Sequence, residues 1–175
     1  LVTGLFNRTH FIELMDAAAE RAVNAGQTAS LAYIRLDRYA SLLAETGLAG
    51  IDLLLTDLAG LLRAHFPAET QLARFGDDVF AALLPGQSPE QCQASLVPLL
   101  KKVEAHLFDV SGRTAQTTLS IGVAGLSEKT AKAQEVIDRA HRCADELSDG
   151  NAIKVFNPAD ELAAAANRGS LLAMV

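Results

Sequence analysis

Apolar positions along this chain switch between two spacings, and the switches mark its elements. Phe11, Leu14, Met15, Ala18 and Ala22 fall at helical spacing, with Asn7 placed to cap the first turn and Asn24-Ala25-Gly26 to close the last, which predicts an opening helix. Ala29 to Leu36 is a continuous apolar run and predicts a strand; its centre, Leu31-Ala32-Tyr33-Ile34, needs cover on both faces. From Tyr39 to Leu62 the helical period returns, with Leu53, Leu54, Leu58, Leu61 and Leu62 as the expected inner stripe and a break into two helices at Thr46-Gly47.

Gln71 to Phe75 and Val79 to Leu84 are β-prone runs joined by Gly76-Asp77-Asp78, so they predict a hairpin with carboxylates at its tip. Ser88 and Pro89 then suit the N-cap and first residue of a helix running to about residue 108, kinked at Pro98. Thr114 to Ala124, rich in β-branched residues, reads as a strand, Ala131 to Leu147 as an amphipathic helix stopped by Ser148-Asp149-Gly150, and Ala152 to Phe156 as a last short strand. The order predicts an α/β fold: a central mixed, largely antiparallel sheet of about five strands flanked by helices.

Composition narrows the function. At 175 residues, 50% apolar and 21% charged, the chain suits one domain with a substantial core. A net charge of −6 lacks the basic footprint that phosphate backbones demand, so nucleic acid is not an expected partner. Cys92 and Cys143 have neither a Cys nor a His at ligand spacing and read as buried free thiols in a reducing cytoplasm. His10, His65, His106 and His141 are scattered, so no transition-metal site is expected. No apolar run approaches the ~18–20 residues that span a bilayer, so membrane insertion is not expected. Leu1 is not Met, and the chain reads as a piece of something longer.

Four segments, in order, resemble the GGDEF domain, the diguanylate cyclase module of bacterial cyclic-di-GMP signalling. Val2-Thr3-Gly4-Leu5-Phe6-Asn7-Arg8-Thr9-His10-Phe11 is similar to the family's opening L-T-G-L-x-N-R-x-x-F, and Asp37-Arg38-Tyr39 to the end of its D-x-D-x-F segment. Arg74 to Phe80 resembles R-[FY]-G-G-[DE]-E-F, and Thr118-Leu119-Ser120-Ile121-Gly122-Val123-Ala124 resembles T-x-S-I-G-V-A. The resemblance implies a nucleotidyl-cyclase-like fold with a ferredoxin-like core. Within the last motif Gly122 reads as a packing glycine between strand and helix.

In active members two divalent ions sit on the triphosphate of a bound GTP, and carboxylates hold them because magnesium is a hard, oxygen-seeking cation. On the resemblance, the first metal-binding Asp falls on Arg35, while Asp37 matches the second Asp. Positions 35 and 37 share one strand face. Exchanging a negative for a positive charge there replaces attraction by repulsion of about 4 kcal/mol per unit pair at ~4 Å and intermediate dielectric. Gly76 and Phe80 keep the signature, Asp78 keeps its acidic third position, Asp77 replaces its second Gly, and Val79 replaces its Glu. Asp77 adds a Cβ and a charge where glycine lets phosphate approach. The guanine-reading Asn falls on Leu43, a phosphate-side Lys on Ala40 and another on Ser148, whereas the guanine-reading Asp is kept as Asp52. The inhibitory R-x-x-D would occupy Pro67-Ala68-Glu69-Thr70 and is absent.

Read from the residues alone, Asp52 and Asp78 are solvated carboxylates and Arg74 a salt-bridging strand end. Arg35 can pair with Asp37, Asp77 or Asp78 and so stand in for the metal, or it can meet a bound phosphate directly. The pocket therefore reads as vestigial, with no catalytic residue, metal or cofactor. Residues 1–157 are expected to form a degenerate, non-catalytic GGDEF domain, a regulatory module rather than an enzyme. Residues 158–175, with Leu171, Leu172 and Met174 apolar, are expected to form a helical linker towards an EAL domain, or else an ordinary helix packed on its own domain. The partners this implies are that EAL domain, an upstream sensory domain and a second copy, in the cytoplasm, in a tandem protein of the kind that regulates type IV pili and twitching motility. The alternatives are a GTP-binding allosteric domain that activates a neighbouring EAL phosphodiesterase, and an active cyclase.

Overall fold

A computed structural model describes residues 5–127 and 132–158. The first residues of the opening motif and the expected linker beyond Pro158 lie outside them. The elements run α1 (Arg8–Ala25), β1 (Ala29–Leu36), α2 (Tyr39–His65), β2 (Gln71–Gly76), β3 (Val79–Pro85), α3 (Pro89–Ala105), β4 (Phe108–Val110), β5 (Arg113–Ala115), β6 (Leu119–Leu126), α4 (Ala133–Asp145) and β7 (Ala152–Val155). Five strands form one sheet in the order β2-β3-β1-β6-β7, antiparallel except for the parallel pair β6–β7. The mixed five-stranded sheet expected from the pattern is therefore present.

Strand alternation divides the core in two. Ala32, Ile34 and Leu36 of β1 face the apolar stripes of α2 and α3, while Leu31 and Tyr33 face those of α1 and α4. The outer edge of β2 is partly covered by a parallel bridge between Phe6 and Ala73. Local signals behave as expected at several ends. Asn7 Oδ1 accepts from the His10 N–H at 2.8 Å, Gly26 closes α1 in a left-handed conformation, and Ser88 and Gln91 form a reciprocal capping box. Gly122 is required by packing, since a Cβ there would stand 1.8 Å from the Ala140 carbonyl oxygen.

Three expectations are corrected. The inner stripe of α2 runs through Ile51, Leu54, Leu55, Leu58 and Leu62, while Leu53 is 47% exposed. In a leucine-rich helix composition does not fix the phase. Here it is set by the break at Gly47 and by Gly50, whose missing Cβ admits Val110 of β4. The helix expected to reach residue 108 stops at Ala105, with Pro98 inside one continuous segment, and Phe108 turns into the buried strand β4. The strand expected from Thr114 is two strands, β5 and β6. The first pairs with β4 through a tight turn in which Ser111 and Gly112 both have positive φ. The Ser111-Gly112 pair was the available signal for that hairpin.

Candidate functional site

The signature occupies the β2–β3 hairpin, and Arg74 shapes its tip. Its Nε donates to the Gly76 carbonyl at 2.7 Å and its terminal nitrogen to the Asp77 carbonyl at 2.6 Å, while the guanidinium lies 5.9 Å from the Phe80 ring centroid. The expected salt-bridging strand end is thus a backbone clamp, because the bulge between Arg74 and Gly76 turns two carbonyls towards it. The tip is tied to β1 by the Leu36 N–H, which donates to the Asp78 carbonyl at 2.9 Å. Asp77 is exposed and Asp78 half-buried. Val79 and Phe80 are buried on opposite faces of the sheet, in the α1/α4 and α2/α3 cores respectively. A Cβ at Gly76 would make only ordinary contact with Val79. No crowding demands glycine there.

Arg35 and Asp37, two residues apart on β1 and its extension, both reach the α4 side. Arg35 forms an ion pair with Asp145 and donates to the Ala144 carbonyl at 3.2 Å, so its partner is not Asp37, Asp77 or Asp78. The register explains this: Arg35 lies beneath the C-terminal end of α4, where an acidic side chain and exposed carbonyls both attract a cation. Asp37 is engaged elsewhere. Its Oδ1 accepts from Ser120 Oγ at 2.5 Å, and its Oδ2 accepts from Thr118 Oγ1 at 2.7 Å and from the Asn151 N–H at 2.8 Å. Thr118, just before β6, and Ser120 on it are two positions apart and share a face, and Ser120 lies directly opposite Arg35 in the ladder, so both hydroxyls face the carboxylate.

These donors and acceptors do not fit a magnesium ion. A guanidinium holds the first expected ligand position, a buried valine the other, and three of the roughly four lone-pair sites on Asp37 are taken. Among the described residues no group of three or more His, Cys, Asp or Glu side chains is placed to hold a metal.

The remaining expected residues are dispersed. Ala40 and Asp52 are exposed on α2, Leu43 is half-buried against the α2/α3 core, and Ser148 is exposed in the turn before β7. Tyr39, the last residue of the Asp37-Arg38-Tyr39 motif, opens α2 and packs half-buried against the α2/α3 core. Burial raises its phenol pKa, Asp77 adds to the rise, and Arg74 opposes it. The backbone N–H of Asn151 donates to Asp37, and its side chain reaches Glu104 of α3 at 2.7 Å. No apolar pattern could have marked a backbone donor. Asp145 also had no signal, being one of several acids on the exposed side of a helix.

Around Tyr33 lies a second group of charges. Its ring stacks on His141 with centroids 4.9 Å apart, and His141 Nε2 is 3.0 Å from Asp145 Oδ2. Burial raises the Tyr33 pKa, with Asp145 as the next cause. The two cysteines are buried, as expected, and burial pushes the Cys92 thiol up to about 12. No helix among the described residues is long and apolar enough to cross a membrane.

Residues 1–151 match the family model described as diguanylate cyclase, GGDEF domain. The crystal structure of the FimX GGDEF domain from Pseudomonas aeruginosa is 61% identical, with a TM-score of 0.85 over 88% of this chain and 96% of that one. The GGDEF domain of DgcB from Caulobacter crescentus, solved with c-di-GMP, shares the fold at 20% identity, with a TM-score of 0.83 over 90% of this chain and 92% of that one. Diguanylate cyclase DgcP of Pseudomonas aeruginosa is 29% identical over 139 residues, 79% of this chain but 21% of DgcP. The chain spans 13% of another relative, DgcE of Escherichia coli.

Proposed function

We propose, from the premise that this chain belongs to the GGDEF family of diguanylate cyclase domains, that it forms no cyclic-di-GMP and acts as a regulatory and interaction module in cyclic-di-GMP signalling. The observation that carries this reading is the Arg35–Asp145 ion pair. At the position where the resemblance expects a metal-binding carboxylate, the chain places a cation and supplies its own counter-ion. Asp37 is a poor substitute ligand, because a metal would have to displace two hydroxyls and a backbone N–H. Val79 adds no ligand and sits in the core. A catalyst that uses metal ions to neutralise charge on a transferring phosphoryl group needs those carboxylates together, and one surviving acid does not replace them.

The test is product formation. The full chain is incubated with GTP and Mg²⁺ or Mn²⁺ under conditions that allow dimers, and cyclic-di-GMP is measured by mass spectrometry. None is expected, and GTP-dependent accumulation overturns the reading. A second reading, a GTP-binding allosteric domain, draws on Asp52, which stays exposed on α2. Calorimetry at millimolar GTP, with and without Mg²⁺, separates the two: heat that disappears in Asp52→Ala favours the second. We also propose a tandem setting, with an EAL domain following and a sensory domain preceding. In that setting the proposed role is that of a cytoplasmic, dimer-capable regulator of type IV pili and twitching motility.

A further inference from the structure

β7 ends the five-stranded sheet, and only one of its two edges is paired. Its parallel ladder runs to β6, and the Phe156 N–H just beyond it donates to the Val123 carbonyl at 2.7 Å. Backbone groups alternate along a strand, so Ala152, Lys154 and Phe156 turn theirs towards β6, while Ile153 and Val155 turn theirs to the open edge. Among the described residues no strand lies on that side. Side chains alternate as well. Ile153 and Val155 lie half-buried on the α2/α3 core, and on the opposite face Lys154 forms an ion pair with Glu146 at the end of α4, with 40% and 56% of the two side chains exposed. The other edge of the sheet differs, since Phe6 engages the Leu72 carbonyl and the Arg74 N–H of β2.

We propose that this open edge binds the same edge of a second copy of the chain, β7 running antiparallel to β7 about a two-fold axis at Lys154. An open edge accepts an added strand through its unpaired N–H and C=O groups. Here the two outward residues are spaced by two, so a two-fold sets Ile153 against Val155 of the copy and Val155 against its Ile153, and each pair exchanges both backbone bonds. A shift towards the start of the strand would set Val155 against Asn151, whose N–H is already held by Asp37. The side chains match this pairing. Ile153 and Val155 of the two copies meet on one face and complete each other's burial, as β-branched cross-strand neighbours do. On the other face the two Lys154 side chains stand opposite each other, which alone would repel. Each brings its Glu146, however, so the two-fold gathers cations and anions in equal number and lets each lysine also reach the copy's carboxylate. The signature hairpin lies at the far edge of the sheet and takes no part. The contact joins two sheets through one pair of short strands, so the association is weak and reversible.

The pairing gives the second copy of the proposed function a place to bind. Its failure would leave the absence of turnover standing, since product formation alone decides that. The full chain is followed by sedimentation equilibrium from micromolar to millimolar concentration, with amide hydrogen exchange read by NMR at both ends of the range. Reversible dimers are expected, with the Ile153 and Val155 N–H groups unprotected when dilute and protected when concentrated, while the Lys154 N–H is protected throughout. Val155→Pro removes an outward N–H and leaves the ladder to β6 intact, and is expected to weaken the dimer by about tenfold or more, with circular dichroism showing a folded chain. Lys154→Glu leaves the backbone alone and is expected to weaken the dimer likewise, and Lys154→Glu/Glu146→Lys to restore it. Monomers at every concentration, or a dimer that either Val155→Pro or Lys154→Glu leaves unchanged, overturn the proposal. Ile153 and Val155 amides already protected when dilute overturn it too, because another part of the chain then covers the edge.

Discussion

Gly150 and Asp37 fit together only because residue 150 has no side chain. A Cβ there would stand 2.6 Å from Asp37 Oδ2, and Gly150 itself has φ +71°. The Gly150→Ala substitution therefore combines a left-handed backbone penalty of about 1–2 kcal/mol with loss of the Asp37–Asn151 bond. We expect a loss of about 2–4 kcal/mol by urea denaturation, with faster hydrogen exchange at the Asn151 N–H. Unchanged stability would mean that the turn moves away at no cost.

Asp37→Ala tests the same joint from the strand side. It removes a charged acceptor from three donors and leaves the Ser120 hydroxyl, wholly buried, without its partner. Hydrogen bonds to a charged group are worth ~1.5–3 kcal/mol each, so a loss of about 3 kcal/mol is expected, with Asp37→Asn recovering part of it. Fluorescence-monitored denaturation of both variants checks the order.

Restoring signature acids is expected to damage the fold before it restores chemistry. Val79 is 6% exposed in the α1/α4 core, so Val79→Glu buries a charge among apolar side chains and should cost about 3 kcal/mol or more. Arg35→Asp/Val79→Glu should still give no cyclic-di-GMP, since Ala40, Leu43 and Ser148 stand where the resemblance expects phosphate and guanine contacts from Lys and Asn side chains. Thermal melts and a product assay on the same preparation read the two effects separately.

Cys92 gives a pH prediction. Burial raises its thiol from the ordinary value of 9.0 to about 12. The native state holds the proton more tightly than the unfolded one, so this contribution to stability is complete below pH 9.0 and is lost as pH rises from there towards about 12. At pH 8 Cys92 should resist a thiol reagent until the chain unfolds, and then react at once. Cys92→Ala should flatten the alkaline part of the stability profile.

Much of the fold was legible in the chain. Asn7, Gly26 and Ser88 act through bonds to their near neighbours, so local sequence states their roles in full. The strand β1 was readable because burial on both sheet faces requires a continuous apolar run. The phase of α2 was not, because a leucine-rich helix offers several apolar stripes and only Val110 against Gly50 selects one. The β4–β5 hairpin was missed for a related reason: strands of three residues carry too little periodicity to stand out beside a long helix.

The sequence by itself determined the family, the order of elements, and the loss of the expected acids at positions 35 and 79, since these are identities at fixed spacings. Only the tertiary structure decided what the remaining charges do. Arg35 reaches Asp145 across 110 positions and Asp37 reaches Asn151 across 114, and the partner in each case is set by β1, β6 and α4 packing together. Ion pairs and hydrogen bonds act over a few ångströms of space, and proximity of that kind is a property of the folded sheet.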